Sequence, residues 1–402
     1  MSYTCCFYKS IRDVPGEAWA SLRTGAADFY TDPRFIAVVE ENIPEAKQYW
    51  SLLVYDQANR PVGSASLCLY LLDAAVLSPP GHRHRLRAIR RLWPGCLLVP
   101  VLFCGLPFSA GQSHLRIAAG ADTEEVLRQM DLAMTRLARQ SRAVAIVCKE
   151  FTDGDLLRTD YLCELGYVRG PSLPMNYFAD GFHNFDEFCG ALRSHYRYKI
   201  HRSQRKFAAA GFRVAHFRGA EAVPHYTDEV HQLYLAVHDR SEAQLETLPA
   251  AFFRRLAAAC GDGVQLTAIF QGPRIVAFSW GIFAGSAYQN VFVGFDYALN
   301  NEFDLYFNLM ANDLDQALRL GAREIQVGQT TDVFKSRIGC VRQPRYVYAK
   351  GTRWFTARPL RWTRSLLMPP PVAIPDRDLY HAATANAATP AFAARHPGGD
   401  GD

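Results

Sequence analysis

The stretch that decides the fold runs from Val264 to Val327. It reads VQLTAIF (264–270), IVAFSWGIF (275–283), AYQNVFVGF (287–295), DLYFNLMANDLDQALRL (304–320) and GAREIQV (321–327). The first three runs are apolar, rich in β-branched and aromatic residues, and separated by short breaks containing glycine, so each is expected as a strand. The fourth repeats its apolar residues at helical spacing and is ended by Gly321, and Glu324–Val327 follows as one more strand. Antiparallel hairpins that feed one helix and then one further strand give an α+β layer, not a doubly wound nucleotide-binding sheet.

The same order can be read upstream. Phe212–Phe217 is expected as a strand, with helices over 222–240 and 248–260 leading into the decisive stretch. In the first half, Trp50–Tyr55 and Val62–Tyr70 flank the polar turn Asp56–Pro61, a hairpin signature. Leu115–Ala118 then precedes a helix that starts at Thr123-Glu124-Glu125 and carries Val126, Met130, Leu132, Ala133 and Leu137, and Ala143–Val147 closes the set as a strand. The pattern G-x-V-R-x-P occurs at Gly166–Pro171 and again at Gly339–Pro344, each time before an aromatic run. Two similar α/β units are expected, over 1–180 and 181–365, followed by a mobile Pro/Ala-rich tail over 366–402.

Between the units, Cys189, Leu192, Tyr196, Ile200, Ser203 and Phe207 are spaced by three and four residues, which predicts one amphipathic helix over 185–207. Its other faces carry Arg193, Arg197, Lys199, Arg202, Arg205 and Lys206, and residues 188–206 contain no acid. Such a run has an ordinary reading as a solvated face. It also suits phosphate contact that does not depend on sequence.

The whole chain is less distinctive. With 402 residues, 49% hydrophobic and 21% charged, it can bury a core without metal or disulfide staples, and it is neither disordered nor fibrous. The net charge of +5 makes no case for DNA. The ten cysteines include no C-x-x-C pair, so they are read as reduced thiols and no metal is expected. Met1–Cys6 lacks the layout of a signal peptide, which makes a cytoplasmic location the expectation. The apolar run Leu92–Phe108 is interrupted by Pro94, Gly95, Pro100, Gly105 and Pro107 and is expected as core, not as a span; the arginines at 83, 85, 87, 90 and 91 before it leave a non-catalytic or membrane-peripheral binding protein as an alternative. G-x-S-x-G, P-loop and H-E-x-x-H motifs are all missing, which removes the common hydrolase and nucleotide-triphosphatase readings.

Taken together, the run Arg193–Lys206, the strand–helix–strand order after it, Gly294-Phe-Asp296-Tyr297, the aromatic helix, and Gly328-Gln329 followed by Lys335 and Gly339 resemble the GNAT-like acyltransferases related to the Fem peptidyltransferases. The resemblance spans residues 185–350 and, more weakly, the first half. It implies two tandem GNAT-like units, each a mixed, mostly antiparallel sheet flanked by helices. The activity implied is transfer of an acyl or aminoacyl group from an activated donor to an amine of a small or peptide-like acceptor. No permanently bound cofactor is expected; the cosubstrate would be acyl-CoA, an acyl-carrier thioester or an aminoacyl-tRNA, and the partners would include tRNA or an acyl-carrier protein.

One departure bears on the donor. Enzymes of this fold that use acetyl-CoA hold its pyrophosphate on a glycine-rich loop before the central helix. Here that segment, 296–304, has no glycine and carries Asp296, Glu302 and Asp304. Those acids suit a helix N-terminus and repel phosphate.

Amide formation needs a base for the attacking amine, an acid for the leaving group and a partner for the oxyanion. Asp296 is the candidate base, with a turn-capping carboxylate as its ordinary reading. Tyr297 and Tyr306 are candidate acids, or core aromatics. Gln329, Lys335 and Arg337 are candidate donor or substrate contacts together with Arg193, Arg197, Lys199 and Arg202, and each has a plain surface-charge or polar reading beside it.

Overall fold

The computed structural model describes residues 3–25, 28–43, 46–73, 98–178, 181–241, 246–330, 332–353 and 379–381. The basic stretch before the apolar run, the start of that run and most of the expected tail lie outside the described residues. The chain divides into two compact units, Met1–Leu173 with Pro344–Val372, and Pro174–Gln343 with Ala373–Asp402.

In unit 1, β1 (Thr4–Tyr8), β2 (Ala46–Tyr55), β3 (Pro61–Asp73) and β4 (Leu98–Cys104) pair antiparallel in that order. The short β5 (Leu115–Ile117) pairs with β3. The β2–β3 hairpin turns on Asp56, whose Oδ1 accepts from the amides of Ala58 and Arg60 at 2.9 Å each. After β5 the chain enters the helix Thr123–Gln140, capped by Asp122, and returns as β6 (Ala145–Phe151), parallel to β4. That helix buries Val126, Leu127, Met130, Met134 and Leu137 against the sheet. The apolar run thus supplies β4, a core strand between β3 and β6. Among the described residues no helix is long and apolar enough to cross a membrane.

In unit 2, β8 (Arg213–Arg218), β9 (Val264–Gln271), β10 (Arg274–Ala284) and β11 (Ala287–Phe295) pair antiparallel. The helix Leu305–Arg319 then leads to β12 (Glu324–Gln326), parallel to β11, and β12 pairs antiparallel with the end of β7 (Val168–Tyr177). One face of β9–β11 carries Trp280 and Phe292, which pack with Tyr226, Tyr234 and Phe253 in an aromatic layer supplied in part by the helices Asp228–His238 and Ala250–Cys260. Both G-x-V-R-x-P motifs have one local meaning: Gly166 and Gly339 take φ of +91° and +78°, turns that open β7 and β13 (Val341–Gly351).

The expected single helix over 185–207 is two. Phe185–Ala191 ends at Leu192, which is extended, and Ser194–Ala209 begins anew after Arg193. The break lets Leu192 bridge to Tyr380, while the backbone of Arg193 donates to Leu379 at 2.9 Å. Residues 379–381 are therefore docked on unit 2. The apolar stripe survives the break, with Ile200 and Phe207 buried.

Candidate active site

The site is built where β11 and β12 part. Their parallel pairing lasts three rungs, Ala287 to Glu324, Tyr288 to Ile325 and Gln289 to Gln326. On the last rung the side-chain amide of Gln289 donates to Gln326 Oε1 at 2.9 Å. Beyond it, β11 continues to Phe295 with a register slip against β10 between Trp280 and Gly281, which leaves Val291 as an extra residue. Such a bulge bends the strand. The chain after β12 turns away at Gly328, which has φ of +84°. Asn176 holds it there, its backbone and side-chain amides donating to the Gly328 carbonyl at 3.1 and 2.9 Å. The result is a wedge between the two parallel strands, with Asn290 at its apex.

Lys335 enters this wedge from the helix Asp332–Arg337 and is 3% exposed. Its ammonium lies 3.3 Å from the position a Cβ on Gly328 would take, and the Asn290 carbonyl is 3.7 Å from the same point. A side chain at 328 would crowd the ammonium, so the glycine is required by space as well as by φ. Nearby, burial pushes the Cys340 thiol up to about 12, against the opposing pull of the Lys335 charge. Tyr306 stacks on Phe295 (5.4 Å) and packs on Phe334 (4.5 Å), next to Lys335 in sequence.

Behind the apex is a buried acid that sequence reasoning missed. Asp313, on the helix Leu305–Arg319, is fully buried and accepts from Thr267 Oγ1 (2.7 Å), Tyr288 OH (2.7 Å) and Asn290 Nδ2 (2.8 Å). The phenol of Tyr288 reaches it only because residue 281 is glycine: a Cβ there would meet the phenolic oxygen at 2.0 Å. Burial, then the Asp313 charge, hold the Tyr288 phenol well above its ordinary value and therefore neutral. Since Thr267 gives its one proton to Asp313, it accepts from His216 Nδ1 at 3.0 Å, which fixes that imidazole as the Nδ1–H tautomer. Burial lowers the His216 pKa, against smaller opposing effects of Asp313 and Asp315. The overlooked signal was alternation: Gln265 and Thr267 on β9, and Tyr288 and Asn290 on β11, are polar residues two apart in apolar strands.

The residues expected from sequence fall in three places. Lys335 lies in the wedge, Gln329 directly follows Gly328, and Tyr306 packs on Phe334, the residue before Lys335. Asp296 caps the short helix Tyr297–Phe303, its Oδ1 accepting from Ala298 and Leu299 at 3.0 and 3.3 Å and its Oδ2 lying 3.9 Å from Arg274. This is the turn role the sequence also allowed. Tyr297 lies under the Arg240 guanidinium, 3.7 Å from its ring centre, and Arg337 is exposed. Arg193, Arg197, Lys199 and Arg202 line the separate helix Ser194–Ala209 or its start. Segment 296–304, where a phosphate cradle would lie, is filled by the capped helix and by Asp304, whose left-handed φ of +52° starts the central helix. Among the described residues no group of three or more His, Cys, Asp or Glu side chains could hold a metal.

A family profile described as peptidoglycan biosynthesis/recognition, FemAB-like, matches residues 94–306. The chain belongs to the FemAB-like family. A search of curated proteins gives no match. Among solved structures, this FemAB-like chain is similar to FemX (11% identity, 87% of this chain and 97% of that one, TM-score 0.53). It is also similar to L-PGS from Bacillus licheniformis (10%, 88% and 96%, TM-score 0.51). A tandem GNAT protein from the clavulanic acid biosynthesis pathway compares equally well (11%, 88% and 99%, TM-score 0.51). The FemAB-like fold seen here, a mixed and mostly antiparallel sheet flanked by helices, is that of the GNAT-type acyltransferases.

Proposed function

We propose that this FemAB-like protein is an N-acyltransferase whose second unit joins an activated acyl or aminoacyl group to an amine. The observation that carries the reading is the wedge between β11 and β12 with the buried Lys335 ammonium at its side. A thioester or ester laid along the open edge of β11 would bring its carbonyl near that ammonium. The fixed cation then stabilises the oxyanion as the amine attacks, and in a water-poor site such a charge acts strongly. The step is direct: the N–C bond forms, the C–S or C–O bond breaks, and the proton shed by the attacking nitrogen passes to the leaving atom, Lys335 keeping its charge throughout. Asp296 has no part as base in this reading, because its carboxylate is committed to the helix cap and faces Arg274.

The test is a donor panel of acyl-CoA, acyl-carrier thioester and aminoacyl-tRNA with amine acceptors, read by mass spectrometry of the product. Lys335→Met should lower transfer by at least a hundredfold. Full activity in that variant, or a trapped acyl-enzyme on the reaction path, would overturn the mechanism. An aminoacyl-tRNA donor is the second reading, suggested by the resemblance to the Fem peptidyltransferases and by the basic helix; it predicts loss of activity with ribonuclease and a steep dependence on salt.

A further inference from the structure

The helix Ser194–Ala209 has a face that the fold does not use. Arg197, Tyr198, His201, Gln204 and Arg205 line a shallow open groove along it. At 1.5 Å per residue the helix is about 24 Å long. Among the described residues no carboxylate pairs with Arg197, Lys199, Arg202, Arg205 or Lys206; Arg197 and Arg205 instead donate to the backbone carbonyls of Gly190 and His201, and Lys206 lies over the Phe303 ring. Tyr198 is 59% exposed and is the one aromatic among the large exposed hydrophobic side chains described.

Three kinds of anionic partner suit a basic helix, and the observations separate them. A bilayer needs an exposed apolar face to insert. The apolar stripe here is already buried, with Ile200 and Phe207 in the core. A single nucleic-acid strand is held by a run of stacking aromatics, and this groove offers two rings, Tyr198 and His201, the second paired with Gln204. The groove itself carries arginine and tyrosine, while Lys199 and Lys206 lie outside it. Arginine and tyrosine enriched over lysine is the composition of a protein interface.

The same helix meets, from its other side, the place where a donor would be handled. Ser203 donates to Asp304 at 2.9 Å, and Asn308 donates to Ser203 at 3.2 Å, so this helix is tied to the loop where CoA enzymes of this fold hold their pyrophosphate. That loop is filled and acidic here. A donor whose phosphopantetheine is attached to a protein needs no adenosine pyrophosphate cradle at this position.

We infer that the Arg197–Tyr198–Arg205 face is the docking surface for an acidic helix of a carrier protein that presents the acyl group as a phosphopantetheine thioester. The inference rests on the acyltransferase reading and names its donor. In the step that follows docking, the acceptor amine forms the amide bond, the C–S bond breaks, and the pantetheine thiol leaves with the proton.

The test uses the full chain and a holo acyl carrier protein labelled on its pantetheine thiol, followed by fluorescence anisotropy. Arg197→Glu/Arg205→Glu and Tyr198→Ala should each weaken binding at least tenfold, whereas Lys9→Glu, on an exposed residue of unit 1, should change it less than twofold. The inference is overturned if the carrier does not bind, if Lys9→Glu weakens it as much as the groove variants, or if a tRNA, the donor of the second reading, or phosphatidylglycerol vesicles bind through these residues in its place. Transfer from acetyl-CoA without carrier binding would sink this inference and leave the acyltransferase reading intact. Carrier binding through the groove without transfer from any donor would do the reverse.

Discussion

Asp313→Ala should be among the most damaging substitutions in unit 2, and its size can be worked from the three hydrogen bonds. The carboxylate is fully buried and accepts from Thr267, Tyr288 and Asn290, one donor from β9 and two from β11. Removing it strands three donors under the helix. Each unsatisfied buried group costs about 1–3 kcal/mol. Partial re-pairing among them brings the expected total to about 3–5 kcal/mol, the range for breaking a buried charged network. Set against a typical stability of about 5–15 kcal/mol, that is a large fraction.

Tyr288→Phe removes one donor and leaves the acid with two, so it should cost about 1–2 kcal/mol. The two changes share a bond, and the double variant should fall short of their sum by at least about 1 kcal/mol. Urea unfolding followed by circular dichroism measures both, with hydrogen exchange at β9–β11 amides reporting unit 2 by itself. A loss below about 1 kcal/mol for Asp313→Ala, or strict additivity of the pair, would mean that the carboxylate does not hold these three donors together.

Three further outcomes are expected. Gly281→Ala places a methyl 2.0 Å from the Tyr288 oxygen and should push the phenol off Asp313, with protection lost at β10–β11 amides in hydrogen exchange. Asp296→Ala removes a cap and should cost about 1 kcal/mol in urea unfolding; transfer should persist in that variant, and its abolition would make Asp296 the base after all. His114 in unit 1 is 1% exposed, neither ring nitrogen has a hydrogen-bond partner among the described residues, and burial lowers its pKa to about 3. The unfolded chain takes up that proton first, so stability should be full above pH ~6.5 and fall by about 1.4 kcal/mol per pH unit toward the folded value. His114→Phe should flatten the slope between pH 6 and 4, and an unchanged slope would contradict the assignment.

The sequence was most legible where one face of an element is uniformly apolar. β9, β10 and β11 match the runs read at 264–270, 275–283 and 287–295, and the central helix matches 304–320, because burial on the sheet enforces period two and burial on the helix enforces its turn. It was least legible where backbone geometry outweighs pattern. The stripe from Cys189 to Phe207 keeps helical spacing across a break, since an extended Leu192–Arg193 pair still returns the chain to the same buried face. Asp313 was hidden for a related reason: one acid within a helix usually faces solvent, and only the pairing of β9 and β11 on either side of β10 brings its three donors together. Lys335 could be singled out by its place after Gly328, but not by its burial, which depends on the turn that Asn176 holds.

The division of charge follows from the same geometry. A helix N-terminus favours whatever anion is nearest. At the short helix Tyr297–Phe303 that anion is the chain's own Asp296, bonded to two amides, and Asp304 stands before the next helix. A covalently attached carboxylate is always present at high local concentration, so an incoming phosphate would have to displace it and meet a second acid as well. The cations, by contrast, sit where no carboxylate of the described chain reaches them, on the exposed side of Ser194–Ala209. A fold that fills its own phosphate loop and leaves a basic face open on the neighbouring helix therefore fits the proposed carrier-borne donor better than a nucleotide held in a cradle.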